Sequence, residues 1–237
     1  MASLVLIGAS GLAREALAIA RESGLRPIGV LDDAADRLPR TLDGVLVLGP
    51  IQEVVRFPES RLLVCIRSGA TRARIVERLA TLGVGADRYA VLLDRSVRNP
   101  GHCPVGPGSV LFAGVAITVD AVVGRHVVAM PGATIAHDCV IGDFATLGSG
   151  VSLGGGAHIG RAANLGLNVS VRFGAVVGAG ATIGMGSAVL DDVPPDETWA
   201  GVPAAPVGDF GGRSAQAKRN STKPMSGSVP WMSAGFR

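Results

Sequence analysis

The sequence predicts two architectures in series: a small Rossmann-like α/β layer, then a parallel β-solenoid. Residues 105 to 194 divide into fifteen consecutive six-residue units, VGPGSV to VLDDVP, without an insertion or deletion. Position one is Val, Leu or Ile in every unit except the one starting at Ala129, and position five is always Ser, Val, Ala or Cys. A fixed short period marks a repeat architecture. Each unit offers one large apolar side chain to an interior and one small residue near a corner. No unit buries its face alone, so the units must stack. Ahead of them, residues 3 to 94 alternate short apolar runs with helical periodicity, the pattern of a parallel sheet with helices on it.

In chain order, SLVLIGA at Ser3 to Ala9 reads as a buried strand, and Gly11 to Ser23 as a helix with Leu12, Ala16, Ile19 and Ala20 on one face. Pro27 to Asp32, Val45 to Leu48 and Arg61 to Ile66 read as further strands, followed by a helix near Thr71 to Leu82. The expected division is 1–94 as a small nucleotide- or acceptor-binding domain, 95–104 as connector, and 105–206 as the repeat domain with its cap. PPDETWAGVPA closes the repeats, with Trp199 placed to cover the end of the apolar prism. Residues 207–237 lack periodicity and read as a disordered tail, free despite its Trp231 and Phe236.

Composition narrows the function. Hydrophobic residues make up 48% but aromatics only 4%, so the interior must be built from Val, Ile, Leu and Ala. The net charge of +3 is scattered, which argues against nucleic-acid binding. Cys65, Cys103 and Cys139 fall in no metal-ligand spacing, and no metal is expected. Cys139 occupies a fifth position and reads as a small interior residue. The opening MASLVLIGAS has no basic n-region and no stretch reaches transmembrane length, so a cytoplasmic protein without membrane insertion is expected.

Two motifs carry chemistry. Gly8-Ala9-Ser10-Gly11 lies between a strand and a helix, where backbone amides can face a phosphate. Asp32 and Asp33 follow at the end of the second strand, where an acid reaches a ribose hydroxyl. An NAD site is disfavoured, because the segment is short for a dinucleotide fold and shows no hydride-transfer partner. A mononucleotide on a sugar fits better. The second motif is Ile135-Ala136-His137-Asp138-Cys139. His137 takes a third position, at an outward corner, where an imidazole suits a general base. Asp138 is placed to orient it. His102, His126 and His158 read as non-essential, His126 as a solvated corner.

Together with the Leu31-Asp32-Asp33 strand end and the closing Gly201-Val202-Pro203-Ala204, these motifs make residues 3 to 205 resemble one family. It is the hexapeptide-repeat sugar acetyltransferases of the sialic-acid O-acetyltransferase and bacillosamine-type nucleotide-sugar N-acetyltransferase kind. The resemblance implies a left-handed parallel β-helix of about five coils, against the usual crossover hand. It implies homotrimers, an acetyl-CoA donor held between neighbouring β-helices, and a sugar or nucleotide-sugar acceptor of surface-glycan biosynthesis. It implies His137 as base, Asp138 as its acid and Gly155 as oxyanion donor. It places Thr146, Gly155, Leu167 and Met185 beside the cofactor. Gly8, Ser10, Gly11, Asp32 and Asp33 fall on the acceptor. Three positions depart from the family pattern: Leu12 and Thr146 stand where histidines are common, and Met130 where an Asn is. Sugar O-acetylation and a catalytically weakened scaffold are the alternative readings.

Overall fold

A computed structural model describes residues 2–207. The expected tail from 208 onward lies outside the described residues, as do Trp231 and Phe236. The N-terminal layer is a five-stranded sheet built from β1 (Ser3–Ile7), β2 (Arg26–Leu31), β3 (Thr41–Leu42), β4 (Val45–Gly49) and β5 (Arg61–Val64). Its order is β3-β4-β2-β1-β5, with all pairs parallel except β3 with β4. Helix α1 (Gly11–Glu22) follows β1, and α2 (Gly69–Thr81) follows β5. α2 starts two residues ahead of the expected Thr71, because the Ser68 side chain caps it by accepting from the Thr71 amide. The first strands of each half therefore aim their carboxyl ends at a shared edge, where open α/β sheets hold ligands.

The repeats form a left-handed parallel β-helix of two-residue rungs on three faces. The first face carries Val110–Leu111, Val128–Ala129, Thr146–Leu147, Asn164–Leu165 and Thr182–Ile183. The second runs from Ala116–Ile117 to Ala188–Val189, and the third from Val122–Val123 to Val176–Val177. From Val110 to Val189 the rungs pair with those eighteen residues further on, as Thr134 does with Ser152 and Ile135 with Leu153. First and fifth positions fill the prism. Leu111, Ile135 and Leu165 are fully buried, and so is the exceptional Ala129. Trp199 packs against this core and donates to Glu197 Oε2 at 2.7 Å.

Winding begins before the first hexad. Leu92–Leu93 pairs with Val110–Leu111 on the first face, and Arg98 bridges Ala116 on the second. The expected connector is thus an irregular first turn, with Cys103 buried in the core. It lacks the hexad signature because it is covered on only one side.

The fourth position of each of the first fourteen hexads has positive φ, between 54° at Asp120 and 78° at Gly108. Left-handed backbone favours Gly, Asn and Asp. Eleven of these positions obey that preference; His126, Phe144 and Ala162 do not. All three lie on one corner, between the third and first faces, and that corner meets the N-terminal layer. Gly69 of α2 sits so close that a Cβ there would come within 2.2 Å of the Phe144 carbonyl oxygen. Side chains foreign to the left-handed region are kept where a neighbour packs on them.

The two architectures share one apolar cluster. Leu12, Ala16 and Leu17 of α1 pack with Val110, Phe112 and Val128 of the first face, with Met130 at the margin. Among the described residues, no helix is long and apolar enough to cross a membrane.

Candidate active site

The register brings Val119, His137, Gly155, Phe173 and Asp191 to one corner, between the second and third faces. His137 and Asp138 are each 64% exposed at the side chain. Asp138 holds a φ of 59°, and its carboxylate Oδ2 lies 2.7 Å from His137 Nδ1. A proton on Nδ1, donated to that carboxylate, leaves Nε2 as the basic nitrogen. The ring lies over Gly155, where a Cβ would come within 2.4 Å of both Nε2 and Cε1. The Gly155 N–H makes no backbone hydrogen bond among the described residues. A basic nitrogen and a free amide thus face solvent side by side.

Cys139 is fully buried next to them. Its thiol donates to the Gly154 carbonyl at 3.2 Å, and burial pushes its pKa up. A buried, protonated thiol is a poor nucleophile. Among the described residues, no group of three or more His, Cys, Asp or Glu is arranged to hold a metal.

The acceptor-side residues gather at the carboxyl edge of the sheet. Gly8 has a φ of 100°, and a Cβ there would strike Ile66 Cδ1 at 2.5 Å. Ser10 caps α1, accepting from the Ala13 amide and donating to the Cys65 carbonyl at 2.7 Å. The Asp32 carboxylate accepts from the Ala9 and Ala34 amides, both at 2.8 Å, so it braces the turn. Asp33 accepts from the Ile51 amide and pairs with Arg78 at 2.6 Å. The Arg78 hydrogen bond, helped by the Ile51 amide, holds its carboxyl below the usual range despite partial burial. Ser10, Gly11, Leu12, Glu15 and Arg67 face Val128 and Met130 across a cleft of about 280 Å³. Leu12 and Met130, the two departures from the family pattern on this side, therefore meet at one cleft. Arg67 and Glu15, which the sequence reading missed, are the charged residues of that cleft. Nothing in their sequence neighbourhood distinguishes them from surface charges.

Two expectations are corrected. Thr146 is 1% exposed, and its hydroxyl accepts from Arg72 Nη2 and donates to the Arg67 carbonyl, both at 3.0 Å. It belongs to the contact between the two architectures, which leaves it no surface for a cofactor. His126 is 3% exposed where a solvated corner was expected, because the N-terminal layer covers it. Its ring stacks on Phe144 at 5.0 Å and meets Tyr89 edge-on at 4.5 Å. Leu167 and Met185, expected beside a cofactor held between neighbouring β-helices, are 40% and 75% exposed and stand apart from His137 and Gly155. The register puts them on the corner between the first and second faces, one face away.

Arg72 is the other residue that sequence reasoning missed. It is fully buried, and burial pushes its guanidinium down to about 10. It donates to the carbonyls of Ile66 (2.8 Å) and Arg67 (2.7 Å) on one side. On the other it reaches the carbonyls of His126 (3.0 Å), Phe144 (2.6 Å) and Ala145 (3.0 Å). One side chain joins the edge of the sheet to the β-helix.

Comparison with known proteins gives the same two halves. The family model for the PglD N-terminal domain matches residues 3–79, and that for the bacterial transferase hexapeptide (six repeats) matches residues 120–155. No curated protein sequence matches the chain. Among solved structures, PerB from Caulobacter crescentus, in complex with CoA and GDP-perosamine, is 29% identical with a TM-score of 0.80. That match covers 88% of this chain and 98% of PerB. The acetyltransferase domain of PglB from Neisseria gonorrhoeae FA1090, in complex with acetyl coenzyme A, is 29% identical with a TM-score of 0.77. It covers 86% of this chain and 98% of that domain. WeeI from Acinetobacter baumannii AYE shares the fold at 24% identity and a TM-score of 0.76, over 87% of this chain and all of that one.

Proposed function

For a chain of the hexapeptide-repeat sugar acetyltransferases, we propose that it transfers the acetyl group of acetyl-CoA to the amine of a nucleotide-linked amino sugar. The observation that carries this is the exposed His137–Asp138 pair at 2.7 Å, set over a glycine whose amide is free. The ligands of the solved relatives, CoA with GDP-perosamine in one and acetyl coenzyme A in another, support the two substrate classes.

The chemistry is direct transfer. The acceptor nitrogen attacks the thioester carbonyl while His137 Nε2 takes its proton. Asp138 offsets the charge that forms on the imidazole. The Gly155 N–H donates to the oxyanion, where a preorganised donor is worth most. Collapse of the intermediate breaks the C–S bond, and the imidazolium returns the proton to the CoA sulfur. Cys139 takes no part, consistent with its burial.

The site is completed by a second copy. Base and oxyanion amide sit on one corner, and Leu167 and Met185 on another, so one acetyl-CoA reaches both only across two chains. A cyclic homotrimer provides three such grooves. The acceptor nucleotide lies along the carboxyl edge of the sheet, from Asp33 past Gly8 to the cleft at Ser10 and Gly11. Surface-glycan biosynthesis in the cytoplasm is the setting this reading implies.

The test is thiol release from acetyl-CoA with a panel of nucleotide amino sugars and free sialic acids. CoA release that depends on an amine-bearing nucleotide sugar supports the reading. Release with a hydroxyl acceptor alone would replace it with O-acetylation. Absence of acetyl-CoA binding would remove it.

A further inference from the structure

We propose that Arg67 is the residue that binds an anionic group of the acceptor, a role resting on the acetyl-transfer reading above. Arg67 follows β5 at the carboxyl edge of the sheet, beside the Gly8–Gly11 turn that follows β1. Its main chain is fixed. The carbonyl accepts from Arg72 Nη1 at 2.7 Å and from the Thr146 hydroxyl at 3.0 Å, so both partners of the bond are buried side chains. Its side chain is free. Among the described residues, the Arg67 guanidinium makes no hydrogen bond and no ion pair, and it is exposed. Among the described residues, Arg26, Arg40, Arg98 and Arg172 also make no side-chain hydrogen bond or ion pair; Arg67 differs from them in its pinned backbone and in its place at a cleft.

Its place explains what it would pair with. Arg67 lines the cleft of about 280 Å³ with Ser10, Gly11, Leu12, Glu15, Val128 and Met130. It also lines a second cleft of about 470 Å³, between the start of α2 and the first face at Asn164 and Thr182. It is the residue common to the two. The walls beside it in the first cleft are apolar, and a guanidinium against an apolar wall binds anions more strongly than one in open water. Glu15, the carboxylate of this cleft, repels an anion from the α1 side and directs it to Arg67. The matching ligand chemistry is a forked anion, which a guanidinium grips through two parallel N–H donors. Two parts of an acceptor supply one: the diphosphate of a nucleotide sugar, or a carboxylate on the sugar ring.

The experiment uses full-length protein and calorimetric titration with UDP, GDP, a nucleotide uronic acid and free N-acetylneuraminate, on wild type, Arg67→Gln and Arg67→Lys. Acetyl-CoA is titrated in parallel. Arg67→Gln should weaken acceptor-side binding about tenfold, the scale of one charge-assisted pair, with acetyl-CoA affinity and melting temperature unchanged. Arg67→Lys should recover part of the loss, since it keeps the charge and loses the fork. A loss with UDP or GDP assigns the diphosphate. A loss confined to the uronic acid or N-acetylneuraminate assigns the carboxylate; with free N-acetylneuraminate alone, it also removes the nucleotide acceptor while keeping Arg67. Equal affinities of wild type and Arg67→Gln for a ligand that binds would overturn the proposal and leave acetyl transfer standing. A wild type that binds acetyl-CoA but none of the four ligands would overturn the proposal and the acceptor reading together.

Discussion

Two corners of the β-helix present a histidine in nearly the same frame and give it opposite surroundings. At each, a glycine one coil away makes room for the imidazole. A Cβ at Gly108 would meet His126 Nδ1 at 2.1 Å, and one at Gly155 would meet His137 Nε2 at 2.4 Å. His126 is roofed by the N-terminal layer and its Nδ1 has no partner. Burial, with Arg72 and Arg125 beside it and only Asp143 opposing, pushes its pKa down to about 4. His137 stands in solvent with a carboxylate on Nδ1. The repeat supplies a position; the neighbour decides whether a side chain there is structure or chemistry.

The comparison breaks most sharply at the open corner. His137→Ala should lower kcat by about 10²–10⁴-fold, the range of a placed general base, with the melting temperature unchanged. Steady-state kinetics beside a thermal melt checks it, and wild-type turnover would end the assignment. Gly155→Ala should cost about 10²-fold in kcat, because the new Cβ displaces the ring it lies under. Acetyl-CoA binding in that variant should persist. At the covered corner the effects fall on stability instead. Arg72→Met leaves several carbonyls without their donor and should cost about 2–3 kcal/mol, a melting temperature lower by roughly 5–10 °C. Residual activity well below that temperature should remain.

The smallest effect is one of pH. The folded value for His126 lies below its ordinary 6.5, so the unfolded chain binds more protons between those pH values. The associated stability is complete above about pH 6.5 and lost as pH falls toward about 4. His126→Phe, which keeps the stack on Phe144, should flatten the fall in melting temperature across that window. An unchanged slope would show that other groups carry it.

The prism was legible because its signal is periodic and lies in apolar side chains. The proposed base, His137, was legible because a histidine at an outward position has no packing role. The covered corner was harder to read. Its three residues break the left-handed preference of the fourth position, and that break was the available signal, visible only once the φ rule is known. Arg72 lies in a helix with Arg74 and Arg78, and burial of one among three depends on what docks at Phe144, which no local pattern encodes. The split between Leu167 with Met185 and His137 with Gly155 was latent in the numbering. Residues 137 and 155 differ by one whole coil, and 167 is out of step with both.

That arithmetic gives the chain an address system. With partners eighteen residues apart, a position's remainder on division by the coil length fixes the corner it occupies. Duplication of one full coil between Gly155 and Leu167 would lengthen the prism and leave every corner where it was. Gain of a single hexad there would turn everything downstream by one face, carrying Leu167 and Met185 onto the corner of His137. Such a protein would keep its core and lose the geometry of its grooves. Length changes in this molecule therefore behave as changes of phase, and those that preserve phase are the ones open to it.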